Sequence, residues 1–285
     1  MSQYGPIFKE CRLNRGFSLK QVASKDLSIS QLSRFERGES DLSLTKFIKA
    51  LEAIQISVEE FMDKANGFKR IEQKKLMSQM ARFHYKKDIA GLESLIHSEE
   101  DKLSRDFNNL QAKLNIILFR GMICQCDESR TMSQEDLDYV ADYLFQKEVW
   151  EISDLILIGN FYTFYPTTLM SRMAREILKR VDYYAEIATH RNLVEVIMLN
   201  LMEISTERGD LEEAEFFKKE AEKLLTNERN AFHRIIFLYE KGFLNFKKGD
   251  ASGLDDMKNA IFCFEVMGSL HHAKHYQEHM NKFCR

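Results

Sequence analysis

The stretch SISQLSRFERGES, residues 28–40, carries side chains suited to reading the base edges of DNA. Glutamine can pair bidentately with adenine, arginine with guanine, and serine can hydrogen bond to either. Leu32 and Phe35 lie three residues apart and are predicted to face a core. The opposite face then presents four polar side chains, which are Ser28, Ser30, Gln31 and Arg34. This pattern predicts a helix that enters the major groove, and an ordinary solvated surface helix is the alternative.

Three basic side chains upstream are candidates for contacts with the phosphate backbone. Arg12 and Arg15 lie three residues apart on one predicted helix, and Lys20 lies near the start of the next. Phosphate contacts position a protein on DNA without reading its sequence. Residues 1–49 contain nine Lys/Arg against five Asp/Glu, although the whole chain carries a net charge of −3. A positive N-terminal segment on an acidic chain favours one module that faces DNA.

Serines predict where the helices of the N-terminal segment begin. A serine directly before a helix accepts hydrogen bonds from the free N–H groups of the first turn. Serines precede runs with helical apolar spacing at positions 18, 28, 43 and 57, and Gly16 and Gly38 are typical of helix ends. We therefore predict that residues 1–66 form five short helices and a helix-turn-helix DNA-binding domain.

The remainder, residues 67–285, is predicted to form paired helices. Only two prolines and twelve glycines occur in 285 residues, so the fold class is all-α. Junctions with a basic residue, an aspartate and then a small residue recur at Asp88, Asp210 and Asp250, and a period near 40 residues predicts further turns near residues 128 and 168. This periodicity indicates an α-solenoid of about five helix pairs, in which the first helix of each pair lines a concave wall.

Several of these segments resemble one known family. SISQLSRFERGES is similar to the recognition helix of XRE-type helix-turn-helix domains, and with the Leu-rich helix after it resembles the Rgg family of Gram-positive transcriptional regulators. WEISDLILIGN, residues 150–160, and FLYEKGFLNFKKGDASGLDDM, which starts at Phe237, resemble the family's central segment and late repeat. One departure from the usual XRE form is the turn SKDL, residues 24–27, which contains no glycine.

The resemblance implies both partners and function. A cytoplasmic homodimer would bind double-stranded operator DNA, and its tetratricopeptide-like repeat domain, residues 67–285, would bind a short hydrophobic signalling peptide, as in quorum sensing. The alternative is a helical-repeat scaffold for protein interactions whose N-terminal bundle does not read DNA. Binding to DNA separates the two hypotheses.

Candidate peptide contacts follow from what an extended peptide requires. An asparagine side chain both donates and accepts hydrogen bonds, as a peptide backbone does. Asn160 and Asn200 lie within otherwise apolar stretches, and the resemblance favours Asn160 in particular. The other candidates are Phe161 and Tyr239 for apolar pockets and Arg82 and Lys241 for a ligand carboxylate. The alternative is that the aromatic residues are core and the asparagines are satisfied within the fold.

Other classes of protein are disfavoured. Five irregularly spaced cysteines predict reduced thiols, and Cys124 and Cys126 lack a second pair of metal ligands, so we expect no metal. We find no phosphate-binding glycine loop or nucleophile motif and expect neither an enzyme nor a cofactor. The sequence contains no apolar run of 18 residues, so we expect no membrane partner. His271, His275 and His279 lie four apart, which favours a polar helix face at a dimer contact over a metal or pH-sensing site.

Overall fold

A computed structural model describes residues 4–67, 72–180, 182 and 187–284, and all regular elements in these ranges are helices. These ranges also contain one isolated antiparallel β-bridge, between Ser24 and Leu27. The chain divides into two compact units, Met1–Ala81 and Arg82–Arg285. The prediction of an all-α fold is confirmed.

The N-terminal unit begins with five helices. They are α1 (Tyr4–Asn14), α2 (Leu19–Val22), α3 (Ile29–Glu36), α4 (Leu44–Ala53) and α5 (Val58–Ala65). Ser18, Ser28 and Ser57 cap α2, α3 and α5 through their side chains, as predicted, because each accepts a hydrogen bond from an N–H group of the first turn. Ser43 precedes α4 but makes no such bond.

Aromatic side chains hold these five helices together. Phe8, Phe35 and Phe61 are buried, and the Phe47 ring lies 6.0 Å from Phe35 and 5.0 Å from Phe61. Leu32 and Phe35 face this core, as predicted. Gly5 allows α1 to lie directly on the last turn of α3, since a Cβ atom there would stand 1.7 Å from the carbonyl oxygen of Phe35. The core therefore fixes the orientation of α3, and with it the direction of its exposed face.

Eleven further helices follow in the described part of the chain. They are α6 (Glu72–Tyr85), α7 (Ile89–Arg105), α8 (Leu110–Cys126), α9 (Gln134–Phe145), α10 (Ile152–Phe161), α11 (Thr167–Leu178), α12 (Ala188–Arg208), α13 (Leu211–Leu224), α14 (Ala231–Lys247), α15 (Gly253–Val266) and α16 (Leu270–Phe283). The division between the compact units falls within α6, after the predicted domain boundary at residue 66. Within the described ranges, α12 packs against α13 and α14 against α15, whereas α7 packs mainly against α8.

The junctions between paired helices lie where the 40-residue period predicts them. Helices α8 and α9 are separated at residues 127–133, and α10 and α11 at residues 162–166. The first helices of successive pairs pack side by side, α8 against α10, α10 against α12 and α12 against α14. We call these four helices the inner wall. None of the described helices combines the length and apolarity that crossing a membrane requires.

Small residues permit close packing at the junctions, as the sequence predicts. Asp88 caps α7 by accepting a hydrogen bond of 2.9 Å from the Gly91 N–H. A Cβ atom at Gly91 would stand 2.4 Å from the Phe83 ring. At the α14–α15 junction, a Cβ atom at Gly253 would stand 2.2 Å from the carbonyl oxygen of Gly242.

The C-terminal helix α16 packs against α15 and also contacts α6 and α12. The imidazole of His271 lies 3.7 Å from the Tyr85 ring at the end of α6. Further along α16, His279 Nε2 lies 3.0 Å from Glu207 Oε1 on α12. The chain thus returns across its own repeat, which the sequence period does not predict.

Candidate DNA-binding surface and inner wall

The N-terminal turn of α3 presents polar side chains to solvent. Ser28, Ser30, Gln31 and Arg34 are all exposed, as the helical spacing predicts. The Gln31 N–H donates to Ser28 Oγ (3.2 Å), while the Ser28 N–H donates to Gln31 Oε1 (3.2 Å). This capping box orients the Gln31 side chain at the helix start. The Gln31 carbonyl oxygen thus already accepts one bond, which leaves its second lone pair and the amide N–H groups for another partner.

Both ends of α3 are defined by local hydrogen bonds. Without a glycine, the turn before α3 closes through two backbone hydrogen bonds between Ser24 and Leu27, of 2.9 and 3.1 Å, and buries the Leu27 side chain. At the other end, Gly38 has a φ of 74°, which suits glycine. The Glu39 N–H donates to the Arg34 carbonyl and the Gly38 N–H to the Phe35 carbonyl, as in a Schellman motif.

Arg12 does not form part of a phosphate-binding ridge, and this prediction is wrong. The side chain is 5% exposed, and its Nε and Nη2 donate to the two carboxylate oxygens of Glu36 at 2.6 and 2.8 Å. Its Nη1 donates to the Phe17 carbonyl at 2.6 Å. The hydrogen bond to Glu36 raises the pKa of the Arg12 guanidinium. Arg12 therefore ties α1 to α3, and its guanidinium is not available for a phosphate contact.

Arg15 and Lys20 remain available for phosphate contacts, because both side chains are exposed. A further exposed cation, Arg37, lies just past the end of α3 and was not singled out from the sequence. Its guanidinium donates to both Glu39 carboxylate oxygens, at 2.5 and 2.7 Å, and to Ser33 Oγ. Arg37 is thus held by its neighbours, whereas Arg15 and Lys20 offer exposed charge.

On the inner wall, the two candidate asparagines bond to the main chain. Asn160 Nδ2 donates to the Ile156 carbonyl one turn earlier in α10, at 2.7 Å. Asn200 Nδ2 donates to the Gly159 carbonyl at 3.1 Å and so links α12 to α10. Both side chains are half-buried. Each amide nitrogen thus uses one of its two N–H groups within the fold.

Three other peptide-contact candidates are engaged within the fold. Phe161 and Tyr239 are fully buried, so the prediction that they line a ligand pocket is wrong. They belong to the core because their helical positions face the neighbouring helix. Lys241 Nζ lies 3.1 Å from Asp256 Oδ2 on α15, and this ion pair removes the reason to assign it to a ligand carboxylate. Arg82 is exposed, with its guanidinium 5.0 Å from the Phe83 ring centre.

Comparison with known proteins places this arrangement in a family. The family described as "HTH-type transcriptional regulator Rgg, C-terminal domain" matches residues 96–278, more than half of the chain. A general helix-turn-helix family matches residues 8–61, which contain most of α1, all of α2 to α4 and the first half of α5. The chain belongs to the Rgg family. It is a helix-turn-helix, DNA-binding transcriptional regulator, and the N-terminal unit holds its DNA-binding helices.

Solved structures share the fold of this Rgg-family chain over nearly its whole length. The Streptococcus dysgalactiae SHP pheromone receptor Rgg2 is 26% identical, with a TM-score of 0.81 over 98% of this chain and 99% of that one. A Listeria monocytogenes EGD-e protein is 21% identical, with a TM-score of 0.84 over 99% and 97%. ComR from S. thermophilus, solved with DNA and its signalling peptide ComS, is 13% identical, with a TM-score of 0.63 over 99% and 100%. The last two likenesses concern the fold alone.

Sequence reasoning missed an acidic cluster on the inner wall of this Rgg-family chain. Glu203 and Glu207 lie one turn apart on α12, and both bring their charge close to Glu240 on α14. Burial raises the pKa of Glu203 to about 7, and burial with the two neighbouring carboxylates raises the pKa of Glu240 well above its ordinary value. His279 is 8% exposed and faces this cluster, so the prediction of a polar face at a dimer contact is wrong for His279. The four-residue spacing of the glutamates was the available signal.

Proposed function

We propose that α3 reads operator bases through Ser28, Ser30, Gln31 and Arg34. The observation that carries this proposal is the single exposed polar face of α3, whose other face is locked into the core by Leu32 and Phe35. A helix in the major groove can read bases only through side chains that point away from its own domain. All four side chains are exposed, which supports the proposal.

Phosphate contacts are assigned to Arg15 and Lys20 on the helices before α3. Both are exposed, and cations beside a reading helix fix its register on the duplex. The Arg12–Glu36 pair supports them indirectly, since it joins the end of α1 to the end of α3. The net charge of the chain is −3, so the DNA-facing cations must be local to this unit.

The ligand of the inner wall is proposed to be a short hydrophobic signalling peptide. The support is the Rgg family match together with the Rgg2 likeness, since Rgg2 is described as a pheromone receptor. Asn160 and Asn200 present side-chain carbonyl oxygens on α10 and α12, and Arg82 is the exposed cation for a ligand carboxylate. We also propose that the chain acts in the cytoplasm, where operator DNA is found, and that its role is not enzymatic.

A homodimer is proposed because paired helix-turn-helix heads read paired half-sites on DNA. Four large apolar side chains at the α15–α16 junction are each 50–70% exposed and could pack against a second copy of the chain. They are Phe262, Val266, Met267 and Leu270. Sedimentation of the full chain tests this directly. Phe262→Asp with Val266→Asp should produce monomers, whereas Phe107→Asp, at a separately exposed position, should not; an unchanged dimer in the double variant would exclude this surface.

Replacing Arg34 with alanine should reduce discrimination between operators. A bidentate contact to a base contributes about 1–3 kcal/mol of discrimination, roughly 5- to 150-fold in affinity. Arg15→Ala, at a proposed phosphate contact, should instead weaken binding to all sequences. It should also reduce the slope of log affinity against log salt concentration by about one. The measurement is selection of operators from a random DNA library by each variant, followed by titration of the selected site across salt concentrations.

Two outcomes would count against this assignment. If Arg34→Ala selects the same operator with wild-type affinity, α3 does not read bases through Arg34. If the wild-type chain selects no sequence and binds no DNA at low salt, the scaffold hypothesis is favoured over the DNA-binding proposal.

A further inference from the structure

Three side chains that commonly bind metals converge between α12 and α16. Glu203, Glu207 and His279 each offer one ligand atom, and these atoms lie within 4.8 Å of one another. The two glutamates lie four residues apart on one helix face, whereas His279 comes from 72 residues further along the chain. All three groups lie on regular helices of the same compact unit.

Hydrogen bonds determine which nitrogen of His279 is available to a ligand. The Tyr239 hydroxyl donates to the Tyr276 carbonyl at 3.0 Å, and a carbonyl can only accept. The Tyr239 oxygen therefore accepts the 2.8 Å bond from His279 Nδ1, which must carry a proton. Nε2 then points at Glu207 Oε1, 3.0 Å away. Metal-binding histidines commonly donate from their other ring nitrogen to an oxygen in this way.

Glu240 supplies an independent sign that a cation belongs in the pocket. Its side chain is fully buried, and neither carboxylate oxygen has a hydrogen-bond partner within the described part of the chain. It lies close enough to Glu203 and Glu207 to interact electrostatically with both. A buried carboxyl group without a hydrogen-bond partner is costly, and a cation beside it would offset that cost.

We infer that Glu203, Glu207 and His279 bind a divalent first-row transition metal ion such as Zn²⁺ or Mn²⁺, with the buried Glu240 nearby on α14. Imidazole with carboxylates suits these ions, whereas Mg²⁺ and Ca²⁺ prefer oxygen ligands alone. Ligand atoms about 2.1 Å from the ion lie roughly 3.4 Å apart in a tetrahedral site, so small side-chain rotations would close the present spacing. The bound ion would join α16 to α12.

The test uses the full chain after treatment with a chelator. Zn²⁺, Mn²⁺ or Mg²⁺ is added during thermal denaturation, and Co²⁺ is titrated while its visible absorption is recorded. We expect Zn²⁺ or Mn²⁺, but not an equal concentration of Mg²⁺, to raise the melting temperature, and Co²⁺ to bind with one equivalent. Glu207→Gln should weaken metal binding at least 10-fold. The control Glu212→Gln, at an exposed position on α13, should bind as the wild type does.

Because His279 is buried, His279→Gln would disturb packing as well as metal binding, so Glu203→Gln provides the second variant. Equal metal affinity in wild type, Glu203→Gln and Glu207→Gln would overturn the proposal. So would a wild-type chain that none of the metals stabilises. Stabilisation by a polyamine such as spermidine, without any by metals, would assign the pocket to an ammonium group and also overturn it.

Discussion

Glu36→Ala is expected to destabilise the N-terminal unit by about 3–5 kcal/mol, because it leaves the buried Arg12 guanidinium without its counter-ion. Both side chains are at most 7% exposed, and two hydrogen bonds of 2.6 and 2.8 Å join them. The loss should appear as faster hydrogen exchange in α1 and α3, measured by mass spectrometry on the full chain. Operator binding should fall together with the protection of α3.

A matched control is available in the same segment. Glu39 forms a similar bidentate contact with Arg37, but both side chains are about half exposed. Exposed ion pairs contribute about 0–1 kcal/mol, so Glu39→Ala should leave exchange in α1 and α3 nearly unchanged. Replacing both buried partners, Arg12→Met with Glu36→Leu, should restore much of the lost stability. Equal effects of Glu36→Ala and Glu39→Ala would show that the buried pair is not what holds α3.

Gly253→Ala is expected to destabilise the C-terminal unit through overpacking at the α14–α15 junction. A Cβ atom at Gly253 would stand 2.2 Å from the Gly242 carbonyl oxygen and 2.7 Å from the Phe246 backbone nitrogen. Backbone atoms cannot rotate away, so the two helices must separate, and the cost should lie at the upper end of about 1–3 kcal/mol. Calorimetry should show a fall in melting temperature of roughly 5–10 °C.

Asn259→Ala, at an exposed position on α15, is the control and should change the melting temperature little. Alanine favours helix formation over asparagine, so a small increase is consistent with the account. If Gly253→Ala melts at the same temperature as Asn259→Ala, the close approach of the two backbones does not contribute to the stability of the C-terminal unit.

Local signals account for most of the fold that could be predicted from sequence. Ser18, Ser28 and Ser57 mark helix starts because capping depends on only the next three residues. The repeated aspartate and small residue indicate the helix junctions, because two helices approach each other closely at each of them. Leu32 and Phe35 show which face of α3 is buried because helical periodicity alone decides it.

The site could be predicted less completely, because periodicity gives the face of a helix but not its neighbour. Arg12 lies on a helix where an exposed position was equally plausible, and only the approach of α3 brings Glu36 to it. Phe161 and Tyr239 face the adjacent helices instead of a ligand. His279 meets Glu207 because α16 returns across α12, a contact between distant parts of the chain that no local pattern encodes.

The most direct test of the central claim, that DNA reading by α3 is controlled by a peptide on the inner wall, is operator affinity with and without peptide. Synthetic short hydrophobic peptides encoded beside the gene are titrated into the full chain with labelled operator, and fluorescence polarisation reports binding. One peptide should change operator affinity by about 5- to 150-fold, and operator should change the affinity of that peptide by the same factor. Peptide binding that leaves operator affinity unchanged would contradict the account.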